Sequence, residues 1–310
     1  MRSLLFIVLL ATFTTRAEAQ TPPRHFIFFA LERERITDSA FTSHPNIAGA
    51  QLKYSWRELE PVRDAYDFRD IERDLATLAK HGKRLWIQLQ DVSFSSRQVV
   101  PDYLLTDTAF HGGVAREYEG ERFTGLTARR WDPAVRDRFA KLLQALGRQF
   151  DGRIEGINLA ETAVGLHDVK VPPSGYTAAS YAHGVRAMMS AAKAAFPKSH
   201  VVVYANFMPG DTSDSAYLRQ VYAHAERSGV GVGGPDILPL RPWQRKHSLP
   251  LIAARAPHVI GAMAVQDGNL AERITVAELM AYATATLRLN YIFWGTEEPY
   301  YTRDVLPFLR

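Results

Sequence analysis

Glu161 ends the run Arg153-Ile-Glu-Gly-Ile-Asn-Leu-Ala, so a carboxyl group falls where a mostly apolar segment stops. The same arrangement recurs along the chain. Short apolar runs are followed, at or just past their ends, by Glu32, by Tyr54 with Trp56, by Gln88 with Gln90 and Asp91, and by Asn158 with Glu161. Later runs end at Tyr204 with Asn206, at Asp236, at Gln266 with Asp267, and at Trp294 with Glu297. Amides and carboxylates hydrogen-bond sugar hydroxyls, and aromatic faces stack on the apolar faces of pyranose rings. Cleaving a glycosidic bond takes two carboxyl groups. One protonates the leaving oxygen, and the other attacks the sugar or activates a water. Glu161 is the candidate for the first role and Asp267 for the second, with Glu297, followed by Glu298, as the fallback. Tyr54, Trp56, Gln88, Asp91, Asn158, Tyr204, Asn206, Asp236, Gln266, Trp294 and Glu297 are the candidate substrate contacts. The alternative for Glu161 is a residue that opens a loop or caps a helix, where a negative charge is also welcome.

The elements that must position these residues follow from hydrophobic patterning. Residues 25–31, 47–54, 84–91, 153–161, 200–206, 231–238, 259–267 and 291–294 are near-continuous apolar runs, as expected of parallel strands buried on both faces. Helical faces separate several of them. Ile71, Leu75 and Leu78 line one that stops at Gly82, and Phe139, Leu142, Leu143, Leu146 and Phe150 line another that stops at Asp151-Gly152. Tyr181, Val185, Met188, Met189 and Ala192 line a third, closed by Pro197, and residues 271–289 have helical composition. Eight strands alternating with helices predict an α/β fold, a single-domain (β/α)8 barrel. An open doubly wound sheet is the second reading. The first strand–helix turn lacks G-x-G-x-x-G, which argues against dinucleotide binding, and residues 229–234 (GVGVGG) read as glycines relieving a crowded strand. Residues 92–130 form a long connection after strand 3 with no helical period. In a barrel it sits on the face where active sites are built.

Composition removes other chemistries. The absence of cysteine excludes thiol catalysis and cysteine metal sites. The ten histidines form no H-E-x-x-H, and no G-x-S-x-G occurs, so neither a catalytic metal nor a serine nucleophile is expected. No cofactor is expected. The net charge of +4 is spread along the chain without a basic stripe, which argues against a nucleic-acid partner. Arg2, an apolar stretch from Leu4 to Thr15 and Ala17-Glu18-Ala19 predict a secretory signal peptide, residues 1–19, cut before Gln20. That leaves residues 20–310 as the barrel, outside the cytoplasm and with no membrane segment.

Three stretches carry a family resemblance. They are Trp56-Arg-Glu-Leu-Glu60-Pro61 followed by Tyr66-Asp67-Phe68; Val100-Pro-Asp-Tyr-Leu104; and Trp131-Asp-Pro-Ala-Val, leading through a helix to the segment 153–161. Together they resemble the large clan of barrel glycoside hydrolases called clan A, which includes β-galactosidase-like and cellulase-like families. The resemblance implies hydrolysis of β-linked sugars without a cofactor, Glu161 as acid/base, and Trp294 as a sugar platform. Two departures stand out. Ala160 precedes Glu161 where the clan has Asn, and Gln266-Asp267 stands where the clan's nucleophilic Glu ends strand 7. The shorter Asp leaves retention or inversion open. Loss of the nucleophile would leave a non-catalytic carbohydrate-binding barrel, and a lyase or transglycosylase on this scaffold is a further alternative.

Overall fold

The computed structural model describes residues 21–166, 171–237, 239–266 and 274–310; the expected signal peptide and Asp267 lie outside them. Each apolar run contributes a strand: β1 (Arg24–Ala30), β2 (Ile47–Ser55) and β3 (Arg84–Gln90). An insertion carries β4 (Val92–Ser93), β5 (Val114–Glu119) and β6 (Arg122–Ala128). Then follow β7 (Gly156–Leu159), β8 (His200–Tyr204), β9 (Gly231–Gly234), β10 (Gly261–Val265) and β11 (Tyr291–Gly295). β1–β3 and β7–β11 close into an eight-stranded parallel barrel in the ring order β1-β11-β10-β9-β8-β7-β3-β2. The open sheet is thereby excluded, because β1 pairs with both β2 and β11.

Side chains alternate across every strand. Phe26, Phe28, Trp86, Val202, Tyr204, Ala262, Ala264, Tyr291 and Phe293 point inward and fill the barrel as one packed cluster. Their neighbours Ile27, Leu52, Tyr54, Ile87, Val203 and Trp294 point outward and pack with the helices. Gly233 is where the crowding is greatest: a Cβ there would lie 1.7 Å from the Ala262 carbonyl oxygen.

The connection after β3 differs from the expected structureless loop. β4, β6 and β5 form a three-stranded antiparallel sheet, preceded in part by the short helix Asp102–Thr106. Along Val114–Glu119 burial alternates at Ala115, Arg116 and Glu117, and Gly120, in the left-handed region, turns the hairpin. The buried position of the charged Glu117 hides that alternation in the sequence.

Within the stretch Trp56 to Phe68, Trp56 and Glu60 form a buried clamp. Trp56 Nε1 donates to Glu60 Oε2 (2.8 Å), the fully buried Glu60 carboxylate pairs with Arg138, and Trp56 packs edge-on against Phe139. Arg138 and Phe139 belong to the helix Pro133–Phe150, so the clamp ties the end of β2 to that helix. Tyr66 and Phe68 stack beside it at 5.7 Å. That helix starts on a cap: Asp132 accepts from the Ala134 N–H, and Pro133 fixes the first turn.

The next helix, Ala178–Ala195, begins with a Thr177–Ser180 capping box and crosses the chain closely at Gly184. A Cβ at Gly184 would sit 2.0 Å from the Arg130 carbonyl oxygen. Gly184→Ala therefore forces two backbones apart, and thermal unfolding should show a loss of about 1–3 kcal/mol. An unchanged midpoint would show that the contact is slack.

Candidate active site

The C-terminal rim of the barrel holds a cavity of about 350 Å³, lined by residues from the ends of β2, β3, β7, β8, β9 and β10. Glu161 follows β7 after the buried pair Leu159-Ala160 and lines this cavity half-buried. Asn206, just past β8, donates Nδ2–H to Glu161 Oε2 at 2.8 Å, and its own Oδ1 accepts from the Phe207 N–H. The main chain of Glu161 is fixed separately. Its carbonyl accepts from Arg130 Nη1 at 2.7 Å. Arg130 is itself held by Asp91 through two bonds of 2.8 and 2.6 Å, and by the Tyr181 hydroxyl at 2.8 Å. Asp236 lines the same cavity from the segment after β9, where it bridges to Val265, with Arg241 at 3.7 Å.

Burial raises the Glu161 carboxyl to about 7. The Asn206 hydrogen bond, Lys53 and Arg130 oppose the shift, while the negative charge of Asp236 adds to it. A carboxyl raised in this way can carry a proton near neutral pH, which is what general acid chemistry requires. Beside it, the Lys53 ammonium lies 5.0 Å from the Phe28 ring, and burial lowers its affinity for a proton.

Of the predicted contacts, Gln88, Asn206, Asp236 and Gln266 line the cavity with Glu161, as does Gln90. Gln88 Oε1 and Gln266 Nε2 are buried and have no hydrogen-bond partner among the described residues. Others are corrected. Tyr54, Trp56 and Trp294 are fully buried on the outer side of the barrel wall. Tyr54 donates to Asp74, Trp56 to Glu60, and Trp294 packs against His25, so Trp294 offers no sugar platform. For Tyr54 and Trp294 the cause is strand parity, since a one-residue step along a strand reverses the face, whereas Trp56 opens the short helix Trp56–Leu59 and packs on Phe139. Asn158 and Tyr204 point inward but lie beneath the cavity floor, joined there by Gln51 Nε2 at 2.9 Å to each. Asp91 is buried in its ion pair with Arg130. Glu297 is exposed beyond β11, folded over Gly295 and outside the cavity lining. Asp267 lies outside the described residues.

The sequence reading did not select Lys53, Arg130, Glu117, Phe94, Phe207, Arg241 or Gln244. Lys53 carried a signal: it shares the inward parity of Gln51, opposite to Tyr54. Arg130 and Glu117 lie in or beside the insertion, whose fold had no period to read. Glu117 is buried, and burial pushes its carboxyl up to about 7 against the opposing Gly165 N–H and Arg130. Phe94 and Val92 make the insertion's first residues part of the cavity wall. Among the described residues, no three His, Asp or Glu side chains gather as a metal site.

Removing the Asp91 carboxylate leaves the Arg130 guanidinium buried without a counter-ion. Asp91→Ala should therefore lose about 3–5 kcal/mol in denaturant unfolding, whereas a loss below 1 kcal/mol would mean that Arg130 is solvated. Glu117 predicts a pH effect with a definite sign. Its folded-state value, about 7, exceeds the ordinary 4.5, so the folded chain binds the extra proton and stability falls as pH rises between these values. Glu117→Gln should be more stable than wild type at pH 8, by up to about 3 kcal/mol, with the difference vanishing near pH 4. Equal stability at both pH values would contradict the burial argument.

No family model matches the sequence, and no curated protein does. Solved structures match across most of the chain at low identity. The catalytic domain of β-amylase from Paenibacillus polymyxa superposes with a TM-score of 0.59 at 6% identity, covering 88% of this chain and 93% of that one. A xylanase from Cellvibrio japonicus gives 0.56 at 15% identity over 89% and 87%. A GH5_18 protein from Streptomyces cattleya, solved with Manβ1-4GlcNAc, gives 0.56 at 16% identity over 88% and 70%. The chain therefore has the (β/α)8 fold shared by these sugar-cleaving barrels, the fold that its motifs implied.

Proposed function

We propose that the protein is an exported glycoside hydrolase acting on an oligosaccharide or polysaccharide, with Glu161 as general acid. One observation carries the reading: a carboxyl group raised to about 7 lines a barrel-end cavity beside amides that have unused hydrogen-bonding atoms. The fold shared with sugar-cleaving barrels supports it, and the signal-like N-terminus supports export.

In the proposed reaction Gln88, Gln266 and Asn206 hold sugar hydroxyls. Glu161 passes its proton to the glycosidic oxygen as the bond to the anomeric carbon breaks and the electron pair leaves with that oxygen. As that bond breaks, a second carboxylate either deprotonates the water that attacks the anomeric carbon, or attacks that carbon itself to form a glycosyl ester. In the second case a water deprotonated by Glu161 then hydrolyses the ester, releasing the sugar and the carboxylate. Asp236 is the described candidate, because it lines the same cavity and its charge acts on Glu161. Asp267 is the candidate from sequence. The β-linkage is the expectation from the clan resemblance. Gln266 favours a second reading, a carbohydrate-binding barrel without turnover, because it puts an amide at the end of β10 where the clan has a carboxylate.

A panel of β-linked oligosaccharides tests both. Glu161→Gln keeps the hydrogen bond to Asn206 but has no acid proton, so turnover should fall roughly 10²–10⁴-fold while sugar binding survives. Asp236→Asn should cause a comparable fall if it is the second carboxylate, and near-normal turnover would return that role to Asp267. Binding by the wild type with no cleavage of any substrate would replace hydrolysis with the binding reading. Because Glu161 must be protonated to act, kcat/KM should decline as pH rises through about 7. A profile flat from pH 5 to 9 would remove Glu161 from the acid role.

A further inference from the structure

We propose that a second sugar-binding subsite, built on Trp243, extends the cavity at Glu161, so that the protein engages a chain of several sugar units. This rests on the glycoside hydrolase reading.

Trp243 is 68% exposed, an unusual position for an indole. It is held from behind. Its ring lies nearly parallel to that of His247, with centroids 5.6 Å apart and planes 14° apart. His247 is buried, bonded through Nδ1 to the Ser215 hydroxyl, and packed edge-on against Phe207. Phe207, His247 and Trp243 therefore form a supported aromatic stack whose last face meets solvent. Such a preformed flat surface fits the apolar face of a sugar ring and loses little side-chain freedom on binding.

A second cavity of about 370 Å³ opens beside Trp243, within the ~300–1,000 Å³ of small-ligand sites. Two features join it to the cavity at Glu161. Phe207 lines both, and it directly follows Asn206, the hydrogen-bond partner of Glu161. The helix Pro242–Lys246 forms the partition. Arg241 and Gln244 line the first cavity, while Trp243 and Lys246, also three residues apart, line the second. A ligand leaving the first cavity over Phe207 meets the indole. Lys246 and Ser213 add hydrogen-bonding groups to the lining, which suits a hydroxylated ring better than a wholly apolar ligand.

The test uses Glu161→Gln protein, so that ligands are not cleaved, and titration calorimetry with β-1,4-linked xylose, mannose and glucose oligomers of two and six units. For the series that binds, the hexamer should bind more tightly than the dimer. Adding Trp243→Ala should lower the hexamer-to-dimer affinity ratio roughly tenfold, the scale of one aromatic contact. Trp243→Phe should restore most of it, and unchanged unfolding midpoints would show that the fold is intact. If Trp243→Ala leaves the ratio unchanged while Gln88→Ala weakens dimer and hexamer alike, the subsite is wrong and the cavity reading stands. If no oligomer of any series binds, the reading on which the subsite rests falls, and the subsite with it.

Discussion

Arg130 is a full positive charge almost wholly removed from water, and the candidate site is arranged around satisfying it. A buried guanidinium is tolerated only when its donors find acceptors and its charge finds a counter-charge. Asp91 at the end of β3 supplies the counter-charge in a two-point contact, Tyr181 supplies a hydroxyl from the helix Ala178–Ala195, and Glu161 supplies its carbonyl. The Tyr181 hydroxyl in turn donates to the Thr162 carbonyl at 3.1 Å. Four separate segments of chain are thereby drawn to one point. The backbone at Glu161 and Thr162 is held by these bonds, while the Glu161 carboxyl lines the cavity with Asn206 as its hydrogen-bond donor.

The same lack of water that makes Arg130 demanding raises the proton affinity of the acids nearby. Glu161 and Glu117 both rise to about 7, one facing the cavity and the other sealed behind the insertion hairpin. For Glu161 the raised value fits the proposed chemistry. For Glu117 it is a strain on the folded state, which the Gly165 N–H relieves only in part. Strain of this kind gathers around reactive sites and is balanced by packing elsewhere. Here the balancing packing includes the Trp56–Glu60–Arg138 clamp and the aromatic filling of the barrel.

The insertion after β3 and the helix after β9 give the rim its individual character. The first contributes Val92 and Phe94 to the cavity and places Tyr118 and Glu117 against Gly165, just past Glu161. The second sets Gln244 in the lining of the cavity at Glu161 and the exposed Trp243 in that of the neighbouring cavity. Loops on a rigid barrel can vary in this way without disturbing the strands beneath.

The sequence by itself determined the eight strands and the helices between them, because strands buried on both faces must be apolar throughout; that the sheet closes into a barrel was decided by the pairing of β1 with both β2 and β11. It also determined which strand ends carry carboxylates and amides, and hence Glu161, Gln88, Asn206, Asp236 and Gln266. In strands apolar throughout, only the tertiary structure decided on which side of the wall each side chain lies. In β2 the polar residues Gln51, Lys53 and Ser55 alternate with Leu52 and Tyr54 and mark the inner side, but β11 is apolar on both faces and shows no such contrast, so Trp294 could not be told from a cavity residue. The motif from Trp56 to Phe68 likewise gives no sign in the sequence that its partner is Arg138, more than seventy residues on from Glu60. The pairing of Asp91 with Arg130 across the insertion has the same origin. Contacts between distant segments depend on closure of the barrel, and the candidate site is made of such contacts.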